Sequence, residues 1–280
     1  MLVLILAAAV KTPAQTDEES LVRRSLAHEV QAATDSLHPM RYLLRKSSPR
    51  LTTTKEICET KDGAVARLLA INDKPLSSAD EQHEQARLDS LLNDPGRQRH
   101  RKQSEQEDTA RALKVLRALP AAFVYQYAGT GEGPTGKVEK FTFKPNPKFD
   151  PPDLETQALS EMAGEIWIDA ARERVVRLEG RLLQDVDFGW GILGRLYKGG
   201  WIEIEQSEIA DGDHQWRIVH FKMGMSARVV FKTKVFDTTE DESRFVPVPV
   251  GLGYQQAVEL LRSGGGPGNT SSSAESVHSK

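Results

Sequence analysis

Two glycine-rich patterns, seven histidines and one cysteine are the first places to look for chemistry in this 280-residue chain. Gly131-Glu132-Gly133-Pro134-Thr135-Gly136-Lys137 has the spacing of a phosphate-binding loop. Such a loop needs Ser or Thr after its lysine to hold magnesium, and a following helix whose amides face the phosphates. Val138 follows instead, and Glu139-Lys140-Phe141-Thr142-Phe143 alternates as a strand does, so the segment reads as a hairpin loop. Gly189-Trp190-Gly191-Ile192-Leu193-Gly194 matches GxGxxG, which works only at the strand-to-helix turn of a βαβ unit. Gly199-Gly200 arrives five residues after Gly194 and leaves no room for that helix. A glycine-rich strand that bends or bulges fits better, and neither pattern calls for a nucleotide.

The remaining reactive residues do not assemble into a catalytic set. His83-Glu84 opens like a zinc-protease helix, but Arg87 stands where the second histidine must be. His214 and His220 share a strand parity near Asp211 and Asp213, which a solvated face and a polar turn explain without a metal. Glu165 and Asp169 share a face too, a weak hint of paired carboxylates. No serine sits in a Gly-x-Ser-x-Gly elbow, and Cys58, among Thr52, Thr53, Thr54 and Lys55, suits a packed small hydrophobe. The basic run Arg97, Arg99, His100, Arg101, Lys102 is followed at once by Glu105, Glu107 and Asp108, with no aromatic platform for nucleic acid. A net charge of −3, spread along the chain, gives no argument for a polyanion or an acidic membrane surface. The expectation is therefore a protein that is not an enzyme and carries no cofactor, metal, nucleotide or nucleic acid.

The elements around these residues point to an exported α+β protein. Nine apolar residues follow Met1, enough for the core of a secretory signal peptide and too few to span a bilayer. Thr12 and Ala14 suit cleavage near residue 15, although no basic residue precedes Leu2. Residues 1–15 are thus read as a leader with a truncated basic region, and the mature chain as periplasmic or secreted. No second stretch reaches membrane-spanning length, so that chain is expected to be soluble or peripheral to the membrane.

One domain is expected over residues 16–262. Apolar residues Leu26, Val30, Ala33 and Leu37 predict a helix from Asp17 to Ser36, ended by His38-Pro39. Strands follow at Arg41–Lys46, Thr52–Thr60 and Ala64–Asn72, with Lys61-Asp62-Gly63 as a turn. A helical insert spans residues 76–120. Its first helix is capped by Ser77 with Asp80 and carries Leu88, Leu91 and Leu92. Asp94-Pro95-Gly96 breaks it, Arg97–Glu107 reads as a charged connector, and a second helix runs from Asp108 to Leu119 until Pro120 stops it. Beyond Ala122 the period becomes two. Strands are expected at Phe123–Ala128, Val138–Lys144, Gly164–Asp169, Arg174–Leu183, Trp201–Ile209, Trp216–Met225 and Ala227–Phe236. The connections, among them Gly129-Thr130-Gly131 and Lys198-Gly199-Gly200, are too short for parallel crossovers, so the sheet should be antiparallel. Tyr254–Arg262 suits a short helix, and the Gly/Ser-rich residues 263–280 suit a disordered tail.

Large apolar residues concentrate at Trp167, Phe188, Trp190, Ile192, Leu193, Tyr197, Trp201 and Trp216. A sheet curving around a helix would bury them on its concave face, either filling the core or lining an apolar cavity. Filling the core is the commoner use of such side chains. In a cavity, at roughly 0.8 kcal/mol per methylene, a long acyl chain would gain on the order of 10 kcal/mol.

Gly164-Glu165-Ile166-Trp167-Ile168-Asp169 followed by Arg174-Val175-Val176-Arg177-Leu178-Glu179-Gly180 resembles the strand–turn–strand of the LolA/LolB-like lipoprotein-localisation superfamily. The order of leader, helix, strands, helical insert and long meander is also similar. The resemblance implies a strongly curved antiparallel half-barrel with helices on its concave face and an apolar cavity that binds lipid or lipoprotein acyl chains in the periplasm. On that reading Trp167, Phe188, Trp190, Ile192, Tyr197, Trp201 and Trp216 line the cavity. The charged insert and the polar tail depart from the family, and no gating arginine can be matched. A structural or interaction module of the envelope with a filled core is the alternative, and a hydrolase with scattered residues the third reading.

Overall fold

A computed structural model describes residues 13–188, 194–209, 215–229 and 232–263. In chain order the first elements are α1 (Pro13–Ala32), β1 (Met40–Ser47), β2 (Thr52–Cys58), β3 (Val65–Ile71) and β4 (Lys74–Pro75). Next come α2 (Ser78–Asn93), α3 (Pro95–Ala122), β5 (Phe123–Gly133), β6 (Gly136–Pro145) and α4 (Leu154–Gln157). The meander continues as β7 (Met162–Asp169), β8 (Arg174–Leu182), β9 (Val186–Phe188), β10 (Gly194–Leu196) and β11 (Trp201–Ile209). The last elements are β12 (Gln215–Val229), β13 (Lys232–Pro247) and α5 (Tyr254–Arg262). Strands pair in the order β4-β3-β2-β1-β13-β12-β11-β8-β7-β6-β5, with β10 on β12 and β9 on β10. β4 and β5 stand at the two ends of this path. The fold is α+β with an antiparallel sheet, as the short connections require.

The chain divides into two compact units, each assembled from separated segments: residues 1–34, 111–206 and 223–236, and residues 35–110, 207–222 and 237–280. In the first unit α1 and the end of α3 cover one face of β5–β8. Val22, Leu26, Phe123, Phe141, Ile166 and Val175 are among its buried core. α1 is fastened there by Glu29, only 7% exposed. Its carboxylate accepts from Arg174 Nε and Nη2 at 2.9 and 3.0 Å, from the Val175 N–H at 3.0 Å and from Gln206 Nε2 at 3.1 Å. Gly164 and Gly180 face each other across β7 and β8. A Cβ on Gly164 would lie 1.8 Å from the Glu179 carbonyl oxygen, so the backbones approach as only glycine allows.

In the second unit α2 and α5 pack on the Cys58 and Val65 face of β2 and β3, with Leu88, Leu91, Val258 and Leu261. α2 also closes a sheet edge, since β4 covers only Ala70 and Ile71 of β3. The Leu68 N–H donates to Glu84 Oε1 at 2.8 Å, and Arg87 Nη2 donates to the Ala66 carbonyl. These side chains occupy the positions a neighbouring strand's backbone would take. The zinc-protease-like run beginning at His83 is thus an edge seal, which blocks pairing with another chain.

Several boundaries differ from the sequence expectation. α1 ends at Ala32 rather than Ser36, leaving Leu37 65% exposed. The expected connector Arg97–Glu107 is helical and continuous with Asp108–Leu119. Its polar side chains have partners that composition does not reveal. Gln98 donates to the Asp62 and Gly63 carbonyls, Glu105 accepts from the Ala64 N–H, and Arg101 pairs with Glu105 one turn on. Pro120 lies in the last turn, where it has no N–H to offer the Leu116 carbonyl, and the helix ends two residues beyond it. Gly129-Thr130-Gly131 continues β5, paired with Lys140, Glu139 and Val138 just after a bulge at Ala128, rather than forming a turn, and Pro134-Thr135 forms the hairpin tip. The expected break near Met225 is absent, because β12 is continuous to Val229. β13 extends through the acidic run Asp237–Glu242, where Lys46 pairs with Glu240 and both Arg45 and His220 pair with Asp241. The Asp211–Asp213 turn, His214 and most of the leader lie outside the described residues.

Two measurements check this packing. Glu84→Ala leaves the Leu68 N–H and Arg87 without their acceptor, so urea denaturation should show a loss of roughly 1–3 kcal/mol, with aggregation at lower concentration than the parent. Glu242 on β13 has its pKa raised from 4.5 to about 7, first by burial, then by Glu240 and Glu59, with Arg217 opposing. A raised carboxyl binds its proton more tightly in the folded state, so the stability it confers falls as pH rises from about 4.5 through 7. Glu242→Gln should therefore raise the melting temperature more at pH 8 than at pH 5, and parallel curves would contradict this.

Candidate functional site

A cleft of about 490 Å³ opens in the first unit where α1, the end of α3, the start of β5 and the segment after β6 meet. Phe123, Tyr125 and Phe149 supply aromatic surface beside Pro120, Ala121 and Val124. Glu19, Arg23, Lys148 and Asp150 supply charge. This volume lies within the range of small-molecule sites, roughly 300–1,000 Å³.

Local hydrogen bonds hold these walls. Asn146 joins the end of α3 to the turn after β6. Its N–H donates to the Ala122 carbonyl at 2.8 Å and its Nδ2 to the Ala121 carbonyl at 2.9 Å. Its Oδ1 accepts from the Lys148 N–H at 3.1 Å, and its carbonyl accepts from the Phe149 N–H at 2.9 Å. An asparagine turn of this kind is locally determined. Phe123 packs on Phe143 at 4.5 Å and edge-on to Tyr125 at 6.2 Å. Tyr125 Oη donates to the Leu119 carbonyl at 3.0 Å, and burial pushes its pKa up while Arg23 opposes. The phenol is thereby a fixed neutral donor, unsuited to acting as a base. Arg23 and Lys148 form no ion pair among the described residues, so both cations remain free to meet a ligand.

The described residues among those proposed from sequence do not line this cleft. Trp167 lies on a charged ladder across β6, β7, β8 and β11. Lys140 Nζ stands 3.8 Å from its ring centroid, Arg177 Cζ stands 5.3 Å away, and its indole N–H donates to Glu165. Arg177 in turn holds Glu179, Glu203 and Glu205. Trp201 lies over Gly224, where a Cβ would come within 2.5 Å of its Nε1. Phe188 is half-buried on β9, paired with Gly194, and Tyr197 is half-buried in the connection to β11. Trp216 belongs to the second unit and is 7% exposed. Trp190 and Ile192 lie outside the described residues. The cleft was missed because its residues come from three separated segments. The one local signal was Asn146-Pro147-Lys148-Phe149-Asp150-Pro151-Pro152, a turn-rich run with an aromatic at its centre.

The reactive groups have structural partners. Burial pushes the Cys58 thiol up to about 11, leaving it protonated and inert at neutral pH. Burial also works to raise the Asp169 pKa, but hydrogen bonds from Thr135 and the Arg172 N–H, with the Arg172 guanidinium, hold it below the usual range. It locks the β7–β8 turn against the β5–β6 hairpin. His220 pairs with Asp241 at 2.7 Å. Among the described residues, no three His, Cys, Asp or Glu side chains are grouped to hold a metal. No helix among them is long and apolar enough to cross a membrane.

No family model matches the chain, and no curated protein does. Solved structures similar to it include a Vibrio parahaemolyticus domain provisionally assigned as an outer membrane lipoprotein-sorting protein. That match has 11% identity and a TM-score of 0.31, over 85% of this chain and 97% of that one. Another is MucB in complex with MucA(peri), at 10% identity and a TM-score of 0.21, over 85% of this chain and 96% of that one. Superpositions this slight carry no argument about ligand or activity.

Proposed function

We propose that this chain is a non-enzymatic binding protein of the cell envelope, periplasmic or secreted, whose cleft takes the acyl chain of an amphiphile such as a lipid or lipoprotein. The observation that carries the reading is the pairing, in one cleft, of an aromatic surface with two cations that lack ion-pair partners among the described residues. The apolar run after Met1 supports export. The cleft is open to solvent and its walls are at least as polar as apolar, so an acyl chain is only partly covered and gains well below the roughly 0.8 kcal/mol per methylene of full burial, against association costs of at least about 4 kcal/mol. An acyl chain by itself therefore binds weakly, and the rim decides which head group is held. Arg23 and Lys148 suit a phosphate, while Asp150 suits an ammonium, so a zwitterionic lysophospholipid is the natural probe.

Titration calorimetry with lysophosphatidylethanolamine should show saturable binding. Phe149→Glu, which places a charge against the apolar surface, should weaken it about tenfold or more, the equivalent of about 1.4 kcal/mol. Trp167→Phe, on the charged ladder, should bind as the parent does. Equal loss from both variants would move the site away from the cleft. The second reading, an interaction module with filled cores, is favoured by the packing of the cores in both units. It predicts a flat titration.

A further inference from the structure

The β12–β13 hairpin of the first unit carries an exposed arm that neither core uses. Pairing between β1 and β13 ends at Ser47↔Thr239, so the stretch of β13 before Thr239 has only β12 beside it among the described strands. Every residue from Lys232 to Phe236 is exposed. Val235 is 73% exposed and Phe236 41%, and Val229, at the end of β12, is 49% exposed. By strand parity Lys232, Lys234 and Phe236 share one face, and Val235 lies on the other with Thr233. Neither lysine forms an ion pair among the described residues. Asp237 follows as the nearest acid in sequence.

The charge pattern selects the occupant. A second copy adding its own strand here would bring lysines against lysines or against bare apolar side chains, and lysines on an edge are a common device against such pairing. A lipid surface has no such difficulty. Lysine stems lie along apolar material while their ammonium groups reach acidic head groups, and valine and phenylalanine enter beside them. We propose that the open edge of this arm docks the protein on an anionic lipid surface, so that side chains of both faces reach it, Val235 and Phe236 entering the interface and Lys232 and Lys234 meeting the acidic head groups. The proposal is independent of what the cleft binds.

The test is co-sedimentation of the full chain with phosphatidylcholine vesicles, with and without phosphatidylglycerol. Binding is expected only to the anionic vesicles and should weaken as salt is raised. Each lysine contributes roughly fivefold to partitioning, so Lys232→Glu with Lys234→Glu should reduce it at least about tenfold. Val235→Ser with Phe236→Ser should reduce it as well, while thermal melts and the calorimetric titration of the cleft stay as in the parent. These positions are exposed, so loss of folding does not confound the comparison. Binding that is absent, equal on neutral vesicles, or untouched by both pairs of substitutions would overturn the proposal. A dimer in sedimentation equilibrium that both pairs abolish would overturn it in favour of a second copy.

Discussion

The carboxylate of Glu29 fixes the geometry of the first unit. It is buried, takes four donors from β8 and β11, and leaves Arg174 only 14% exposed. Breaking such a pair leaves an uncompensated guanidinium, at a cost typically of about 3–5 kcal/mol. α1 is otherwise a modest helix whose apolar stripe holds few large side chains, so its orientation depends on this anchor as much as on Val22 and Leu26. The same orientation brings Glu19 and Arg23 to the cleft, one to three turns before Glu29. The chemistry available at the rim is therefore a consequence of a salt bridge that does not itself touch the cleft.

Polar side chains do comparable work in the second unit. Arg67 joins β3 to α2 through Glu81 and to α5 through the Leu261 carbonyl, and Glu84 with Arg87 seals the β3 edge. Glu56, almost fully buried, lies 3.5 Å from Arg41, and burial raises its pKa against the pull of Arg41 and Arg67. The apolar cores supply the bulk of the stability, and these charged anchors decide how each helix lies.

Features governed by local physics were legible in the sequence. The Ser77 cap, α5 at Tyr254–Arg262, the antiparallel meander and the hairpin disguised as a phosphate loop all follow from short-range spacing. Features held by distant partners were not. The charged stretch of α3 reads as a connector until Asp62, Gly63 and Ala64 are seen to meet Gln98 and Glu105. The acidic part of β13 reads as loop until Lys46, Arg45 and His220 are placed beside it. Aromatic residues near one another in sequence suggested one apolar site, yet alternation along a strand sends neighbours to opposite faces. Trp167 consequently stands among charges, while Phe123, Tyr125 and Phe149, none of them in that group, meet at the cleft.

The central claim is that ligand contact is confined to this cleft. Amide chemical-shift mapping of the labelled protein during titration with lysophosphatidylethanolamine tests it most directly. Perturbations should cluster at residues 19–23, 120–125 and 146–150, with the Trp167 and Arg177 ladder unmoved. Shifts centred on that ladder or on Trp201, or no shifts at all, would contradict it.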